Sequence, residues 1–222
     1  MSSTVRYALY FTPAPGSALA RFGAGVLGDG PPPDCVVAAG AALAAVTAEP
    51  RTYGFHATLK APMRLAAGIG EDALVRACAA LTEHRRPLPA GRLQVALLGS
   101  FVALVPEAPV PDVDLFAAEC VAALDVLRAP LTEAERARRR PDRLDPRGRA
   151  LLDRWGYPHV FEAFRFHMTL TGSLAAEERE LWLARMARAY DAEASVVIDA
   201  VTVMRQEGGE PFRILQRIPF AP

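Results

Sequence analysis

The sequence contains almost no lysine, few cysteines and no excess of charge. Of its 25 basic residues only Lys60 is a lysine, and 25 acidic residues bring the formal net charge to zero. Bulk electrostatics therefore give no argument for nucleic acid or an anionic membrane as a partner. The odd number of cysteines, their wide spacing and their apolar surroundings predict buried reduced thiols rather than a disulfide framework or a metal site; they are Cys35, Cys78 and Cys120.

Long apolar runs are also missing. No uninterrupted stretch is long enough to span a bilayer, and no charged segment followed by an apolar run stands near the N-terminus. We therefore expect a cytoplasmic protein without a membrane partner. The length of 222 residues, 51% of them hydrophobic, suits one large domain or two tightly joined lobes with a sizeable core.

Histidine occurs four times, and two of the four fall in the same local pattern. The first copy is YGFHATLK at 53–60, and the second is FRFHMTLT at 164–171. Each copy reads aromatic, any residue, Phe, His, any residue, Thr, Leu. A single His-x-Thr sequence would be a weak signal, because a lone histidine in a strand is more often a hydrogen-bonded structural residue. The duplication with matching flanks makes the signal strong.

Both copies have the composition of short β-strands, with aromatic, β-branched and apolar residues closed by Pro or Gly. Side chains alternate between the two faces of a strand, so every second residue shares a face. The polar faces are expected to carry His56, Thr58, Lys60, Arg165, His167, Thr169 and Thr171. Each copy therefore combines an apolar face, which needs a core, with a face that offers an imidazole, a hydroxyl and a cation. Two such faces suggest a shared cleft.

The elements predicted around the two motifs follow the same order. Each motif strand precedes a helix and then two strands that form a hairpin. The predicted helices cover 71–84 and 175–190, and the predicted hairpins cover 93–98 with 101–105 and 196–205 with 212–220. This duplication predicts an α+β fold with two lobes, in which antiparallel sheets line a central groove and helices cover the outer faces. The lobes are expected at approximately 13–110 and 111–222, with strand 5–11 a candidate to join the second lobe.

Three tyrosines are candidates to line the groove. Tyr10 lies in the predicted strand 5–11 on the same face as Arg6, whereas Tyr53 and Tyr157 lie close to the two motifs in sequence. Their rings suit stacking on a base or a sugar, and a role in the core or at the rim is the alternative for Tyr53 and Tyr157.

The middle of the chain is predicted to be helical and then highly charged. Residues 112–127 are expected to form a helix that is capped by Asp112 or Asp114. The segment 130–150 that follows contains the run Arg138–Arg140. A solvated helix face with neighbouring acidic residues as partners is favoured over a nucleic-acid patch. A lid over the groove is the third alternative, because the segment leads directly into the second motif.

Two His-x-Thr motifs in a duplicated α+β chain resemble the 2H phosphoesterase superfamily, which includes 2′,3′-cyclic nucleotide phosphodiesterases and ligase-like 2′-5′ RNA enzymes. More narrowly, the sequences YGFHATLKAP, LLDRWGYP and FRFHMTLTG look like the branch of this superfamily that is encoded near phosphonate-utilisation genes. The resemblance covers most of the chain, because the order of strands and helices matches as well. It implies a two-lobed fold, a hydrolase acting on phosphoric esters and a role in phosphonate metabolism.

The chemistry of the motifs can also be argued from the residues themselves. Hydrolysis of a cyclic phosphodiester needs a base that activates water and an acid that protonates the leaving alkoxide, and the imidazoles of His56 and His167 can supply both. Candidate phosphate ligands are Thr58, Thr169, Lys60 and Arg165, and candidate substrate ligands are Tyr10, Tyr53, Tyr157 and Thr171. One histidine and no carboxylate on each polar face fall short of a usual zinc or two-metal ligand set, so neither a metal nor a cofactor is expected.

Three functions stay open on the sequence alone. The first is a metal-independent phosphodiesterase for a small cyclic phosphate, and the resemblance suggests a sugar substrate such as ribosyl 1,2-cyclic phosphate. The second is an enzyme of the same superfamily that acts on RNA ends, against which the neutral charge argues mildly. The third is a protein that binds a phosphorylated metabolite without turnover. The oligomeric state is open as well.

Overall fold

The structure, a computed structural model, describes residues 4–33, 36, 39–190 and 195–221. Its strands are β1 (Val5–Phe11), β2 (Ala57–Met63), β3 (Leu88–Gly91), β4 (Leu93–Leu98), β5 (Phe101–Pro106), β6 (Met168–Thr169), β7 (Val196–Ile198), β8 (Ala200–Glu207) and β9 (Arg213–Pro219). The described α-helices are α1 (Ala18–Leu27), α2 (Gly40–Val46), α3 (Ala48–Arg51), α4 (Glu71–Thr82), α5 (Pro111–Leu124), α6 (Glu133–Arg138), α7 (Pro146–Trp155) and α8 (Arg179–Ala189). None of these helices combines the length and the apolar composition needed to cross a bilayer.

Seven strands form one antiparallel sheet in the order β4-β5-β6-β2-β1-β8-β9. The two motif strands meet near its centre, where Ala57 of β2 pairs with Met168 of β6. The hairpin β4–β5 follows the first motif in sequence but pairs with the second motif strand β6. Strand β1 joins β2 to the other hairpin, β8–β9. The expected α+β fold with antiparallel strands is confirmed, and the assignment of sequence ranges to two lobes stays a prediction.

A second, two-stranded sheet consists of β3 and β7. The sequence did not predict β3, because this strand has only four residues and contains both Pro and Gly, which are rare inside strands. The strand predicted over 196–205 is divided between the two sheets, since β7 ends at Ile198 and β8 begins at Ala200.

The main core lies between the large sheet and the helices. Leu9 and Phe11 of β1 share one buried cluster with Phe116 of α5 and Trp182 of α8. Tyr10, between them in sequence, belongs to a separate cluster on the opposite face. The alternation predicted for strand 5–11 is therefore present, and it leaves one face of β1 to the core and the other to the cleft.

Two of the three cysteines fall within the described residues. Cys78 and Cys120 are buried free thiols, as predicted. Burial raises the pKa of Cys78 to about 12 and raises the pKa of Cys120 as well, so neither is a reactive thiolate at neutral pH. Cys35 lies outside the described residues.

The motif strands begin later than predicted. Strand β2 begins at Ala57 and continues to Met63, and β6 consists only of Met168 and Thr169, so each histidine lies immediately before its strand. Before β2 the chain turns at Gly54, which has a φ of 75° that an L-residue rarely adopts. This turn ends the extended conformation that the aromatic and apolar composition had suggested for the whole of 53–60.

Helix α5 begins without the predicted cap. Its N-cap residue is Val110, which makes no side-chain capping hydrogen bond, and Pro111 occupies the first turn. Proline suits this position because its fixed φ is helical and its missing N–H would have no intrahelical partner. Asp112 and Asp114 lie in the first turn instead, where their charges favour the helix dipole. The helix ends at Leu124, and a 3₁₀ turn continues to Leu127.

Candidate active site

The two motif histidines adopt the same local hydrogen-bonded geometry. His56 Nδ1 lies 2.8 Å from the Gly54 carbonyl oxygen, and His167 Nδ1 lies 2.8 Å from the Arg165 carbonyl oxygen. A carbonyl oxygen only accepts, so Nδ1 carries the proton and donates in both cases. Each imidazole is therefore oriented by the residue two positions earlier, and Nε2 is left for chemistry.

The strand register brings the two His-x-Thr pairs onto one face. Because Ala57 pairs with Met168 in an antiparallel ladder, His56 lies across from Thr169 and Thr58 lies across from His167. All four of these side chains line a cavity of about 540 Å³. The structure therefore brings together the predicted catalytic pair and the two predicted threonine ligands, related by an approximate two-fold axis at the central strand pair.

The three predicted tyrosines also line this cavity. The Tyr10 ring stacks on the His56 imidazole, with 3.7 Å between centroids and an interplanar angle of 20°. The Tyr53 ring lies 6.4 Å from the same imidazole, in a tilted arrangement. Tyr157 stands beside Arg139, whose guanidinium carbon lies 4.8 Å from the Tyr157 ring centroid. Tyr10 and Tyr53 thus lie beside His56, and Tyr157 lines the same cavity beside Arg139.

Two predicted ligands are placed differently from the rest. Thr171 lines the main cavity, but its buried hydroxyl donates to the Gly172 carbonyl at 2.9 Å and accepts from the Val102 N–H at 3.0 Å, so it holds β5 against the second motif. Arg165 is exposed and lines an adjoining cavity of about 430 Å³, which meets the first at Thr58 and His167. Their roles as substrate and phosphate ligands stay predictions.

Lys60 lines the cavity wall, but its ammonium is already engaged. Nζ donates to the Val121 carbonyl at 3.0 Å and lies 3.5 Å from Asp125 Oδ1, and the side chain is 4% exposed. A shift of register between β1 and β2 leaves Leu59 without a partner in β1, which is a bulge that changes the direction of the next side chain. Burial lowers the pKa of Lys60 to about 8 against the opposing effect of Asp125. Its role as a phosphate ligand stays a prediction.

The sequence profile of a family described as "Protein of unknown function (DUF1045)" matches residues 58–213, which is more than half of the chain. The chain belongs to the DUF1045 family. The match begins at Thr58 of the first motif and includes the whole of the second.

Two curated proteins are similar to this DUF1045 chain, and both are named ribose 1,5-bisphosphate phosphokinase PhnN. The protein from Janthinobacterium sp. (strain Marseille) is 42% identical over 233 residues, which cover 99% of the chain and 51% of that protein. The protein from Laribacter hongkongensis (strain HLHK9) is 34% identical over 221 residues, which cover 96% of the chain and 52% of that protein. The chain thus spans about half the length of the curated relatives it matches.

Among solved structures, E. coli LigT is similar to the chain over the full length of both. The complex of LigT with NADP+ gives a TM-score of 0.47, and the complex with 3′-AMP gives 0.44, each at 14% sequence identity.

The main cavity of this DUF1045 chain is lined by more basic than acidic residues, although the whole chain is neutral. The described basic residues that line the main cavity are Arg6, Lys60, Arg64, Arg128, Arg138 and Arg139, against the acidic residues Glu49 and Glu135. This excess of cations suits an anionic ligand. In the described part of the chain, no group of three or more His, Cys, Asp or Glu side chains is placed to hold a metal ion.

Sequence reasoning missed three residues of the site. The sequence pattern placed Arg6 on the same face as Tyr10 without assigning it to the site. Because Tyr10 was expected in the cleft, this shared face could have indicated Arg6 as well. Arg139 was assigned to a solvated helix face, but it lines the cavity. His159 lines the adjoining cavity with His167, although no threonine follows it at motif spacing.

His56 is held in its neutral form. Burial lowers its pKa to about 4, and the nearby charge of His167 acts in the same direction, whereas the hydrogen bond to the Gly54 carbonyl opposes the shift. Its Nε2 lies 3.2 Å from the Thr58 hydroxyl, which donates to it in this tautomer. A neutral imidazole with Nε2 unprotonated is the form that accepts a proton.

This pKa shift predicts a loss of stability in mild acid. The folded-state pKa of His56 lies below its ordinary value of 6.5, so the unfolded chain takes up a proton first as the pH falls. The stability that neutral His56 contributes is complete above pH 6.5 and is lost by about 1 to 3 kcal/mol as the pH falls to about 4. Urea unfolding of the wild type and of His56→Asn between pH 4 and 7 measures this difference.

The matched control is His84→Asn, which removes an exposed histidine. Its stability should follow the wild-type curve, whereas the His56→Asn curve should be flatter over the same range. Parallel curves for His56→Asn and the wild type would contradict a His56 imidazole that is held neutral in the folded chain.

Proposed function

We propose that the chain is a metal-independent phosphoesterase of the 2H type, which hydrolyses a cyclic phosphodiester by acid–base catalysis between His56 and His167. The observation that carries the proposal is the duplicated geometry of the two imidazoles. Each donates Nδ1–H to the carbonyl two residues earlier at 2.8 Å, and each lies across from the threonine of the other motif. Two oriented imidazoles facing one cationic cavity are what an acid–base pair requires.

The proposed roles follow from the protonation of His56. Neutral His56 accepts a proton from water as the water oxygen attacks phosphorus, because its lowered pKa keeps Nε2 unprotonated. The bond from phosphorus to one ring oxygen breaks, and His167 in its charged form gives its Nε2 proton to the departing alkoxide. With substrate bound, the Thr58 hydroxyl turns from His56 Nε2 to one non-bridging oxygen, and the Thr169 hydroxyl donates to the other; negative charge increases on these oxygens in the transition state. The products are a phosphate monoester and a free hydroxyl.

The substrate class is suggested by the cleft and by the names of the relatives. The relatives are named for a kinase of ribose 1,5-bisphosphate, and the chain spans about half of each. Opening a ribosyl 1,2-cyclic phosphate at its 2-oxygen gives ribose 1-phosphate, and the same step on a compound that carries a 5-phosphate gives ribose 1,5-bisphosphate. We therefore propose a ribosyl 1,2-cyclic phosphate as the substrate, with a role in phosphonate metabolism.

The kinase activity itself is not proposed for this chain. A P-loop requires Gly-Lys followed by Ser or Thr, where the lysine reaches the phosphates. The one lysine of the sequence, Lys60, follows Leu59 and precedes Ala61.

A nucleotide or RNA-end cyclic phosphate is the second candidate substrate. The adjoining cavity of about 430 Å³ favours it, because this cavity meets the first at Thr58 and His167 and is lined by the rings of Phe101 and Phe164. Aromatic walls of this kind suit a stacked base. A protein that binds a phosphorylated metabolite without turnover remains the alternative from another class.

Phosphorus NMR of the purified chain in excess EDTA tests the proposal. The panel consists of ribosyl 1,2-cyclic phosphate with and without a 5-phosphate, the 2′,3′-cyclic nucleotides and an RNA end with a cyclic phosphate. Conversion of a ribosyl compound to a monoester is the expected result, and preferred conversion of a nucleotide would favour the second candidate. A folded chain that converts none of them would contradict the proposed activity and favour the binding protein.

A further inference from the structure

The basic residues of the cleft divide into two sets by their partners. Lys60 and Arg128 pair with Asp125, and Arg64 pairs with Glu135. By contrast, the remaining basic residues that line the main cavity form no ion pair with any carboxylate in the described part of the chain; they are Arg6, Arg138 and Arg139. Unpaired guanidinium groups on a cavity wall are available to a ligand.

Two of these arginines line the same cavity as a buried tyrosine. Tyr10 is 1% exposed, lines the cavity and makes no side-chain hydrogen bond with the described residues. Burial raises its pKa, as do the neighbouring hydroxyls of Tyr53 and Tyr157, while the charges of Arg6 and Arg139 oppose the rise. The geometry agrees with this, because the three tyrosines and the two arginines line one cavity. The Arg6 guanidinium carbon lies 5.8 Å from the Phe212 ring centroid, and that centroid lies 6.0 Å from the Tyr10 ring centroid.

Each arginine is held in place by neutral neighbours. Arg6 donates through Nε at 2.9 Å, and also through Nη2, to the Gln206 amide oxygen. Arg139 stacks on the Tyr157 ring with its guanidinium carbon 4.8 Å from the centroid. Such neighbours orient a guanidinium without neutralising it, so the charge remains available to an anion.

The segment that carries Arg139 is anchored to the cleft rather than free in solvent. Helix α6 has a capping box between Thr132 and Glu135. The Glu135 carboxylate also receives two hydrogen bonds from Arg64, at 2.9 and 3.0 Å, immediately after β2. Arg136 pairs with Asp153 of α7 on the outer side. These contacts direct the end of α6 and the following Arg139 toward the cavity.

We propose that Arg6, Arg139 and the Tyr10 hydroxyl form a second anion subsite, which binds a phosphate monoester elsewhere on the substrate. The inference rests on the proposed function, since it describes a substrate with one phosphate at the histidines and another here. A phosphate monoester carries a charge of about −1.5 to −2 and three acceptor oxygens, which match two guanidinium groups and a hydroxyl donor. Because Tyr10 stacks on His56, the subsite adjoins the catalytic one. The subsite therefore selects the 5-phosphorylated form of a ribosyl cyclic phosphate.

Calorimetric binding of two matched ligands tests the subsite separately from turnover. The ligands are ribosyl 1,2-cyclic phosphate and its 5-phosphate derivative, and the protein carries His167→Ala, which removes the proposed acid while leaving His56 under Tyr10. The 5-phosphate is expected to tighten binding by about 10- to 100-fold. Adding Arg139→Gln should reduce that gain to within about threefold, with little effect on the ligand that lacks the 5-phosphate.

The control for charge is Arg143→Gln, which removes an exposed arginine of the same segment that does not line the cavity. This variant should preserve the full increase in affinity that the 5-phosphate gives. The subsite would be overturned if the 5-phosphate did not increase the affinity. It would also be overturned if Arg139→Gln weakened the binding of both ligands equally. If the wild type hydrolyses neither ligand but the gain is present and depends on Arg139, the proposed activity is wrong and the subsite stands.

Discussion

Replacing either His56 or His167 with alanine is expected to lower kcat/KM for the cyclic phosphodiester by about 10²- to 10⁴-fold, the usual contribution of one acid–base group. Neither imidazole can replace the other, because each faces the phosphate from its own strand and each is oriented by its own carbonyl. The phosphorus NMR assay measures the loss, and circular dichroism checks that the fold is retained.

The double variant should have a kcat/KM only slightly below that of the less active single variant. Acid and base act in one transition state, so removal of either already abolishes the concerted proton transfer, and losses from residues that act together do not add. The matched control is His84→Ala, which removes an exposed imidazole that lines neither cavity and should keep the wild-type activity. A single His56 or His167 variant with full activity would contradict the mechanism.

Glutamine variants separate the enzyme from a binding protein. Glutamine keeps hydrogen-bonding capacity at these positions but cannot transfer a proton near neutral pH. For an enzyme, His56→Gln and His167→Gln should bind the cyclic phosphate and fail to open it. For a binding protein, the wild type itself should show affinity without any product.

The central part of the site could be predicted from sequence because it depends on local patterns. The alternation of side chains in a strand placed His56 with Thr58 and His167 with Thr169, and it placed Tyr10 opposite the core residues of β1. The duplication then indicated that the two faces meet. The structure brings these residues together through the single central pair of Ala57 with Met168.

The remaining features depend on contacts between residues that are distant in sequence. The bulge at Leu59 arises from pairing with β1, so the alternation alone could not show that Lys60 pairs with Asp125. Arg139 reaches the cavity because Arg64, some seventy residues earlier, holds Glu135. Charge runs are usually solvated, and no local pattern distinguishes this one. For the same reason the sequence did not predict that the hairpin β4–β5, which follows the first motif, pairs with the strand of the second motif.

Replacing Asp125 with asparagine is expected to lower the free energy of unfolding by about 3 to 5 kcal/mol, because the change leaves buried cations without their counter-ion. Asp125 is 10% exposed and lies 3.5 Å from Lys60 Nζ, 2.7 Å from Arg128 Nε and 2.8 Å from Arg154 Nη1. Burial alone would raise the pKa of Asp125, but hydrogen bonding to Arg128 and the charge of Lys60 hold it below its usual value. Urea unfolding at pH 7 measures the loss.

The surface pair of Arg136 with Asp153 provides the matched comparison. Asp153 is 53% exposed, so Asp153→Asn should cost less than about 1 kcal/mol. Adding Lys60→Met to Asp125→Asn should recover part of the lost stability, because it removes the most deeply buried of the uncompensated charges. If Asp125→Asn lowered the free energy of unfolding no more than Asp153→Asn does, the charges around Asp125 would be effectively solvated.

The single variant Lys60→Met decides the role of Lys60. If its ammonium serves chiefly to join β2 to the end of α5, Lys60→Met should change kcat/KM by less than about threefold, and its effect should appear in stability. If the ammonium turns toward the phosphate when substrate binds, as the motif alone predicted, kcat/KM should fall by about tenfold or more. Since Asp125 retains Arg128 and Arg154 in Lys60→Met, this variant should fold, and its kinetics should report on the lysine alone.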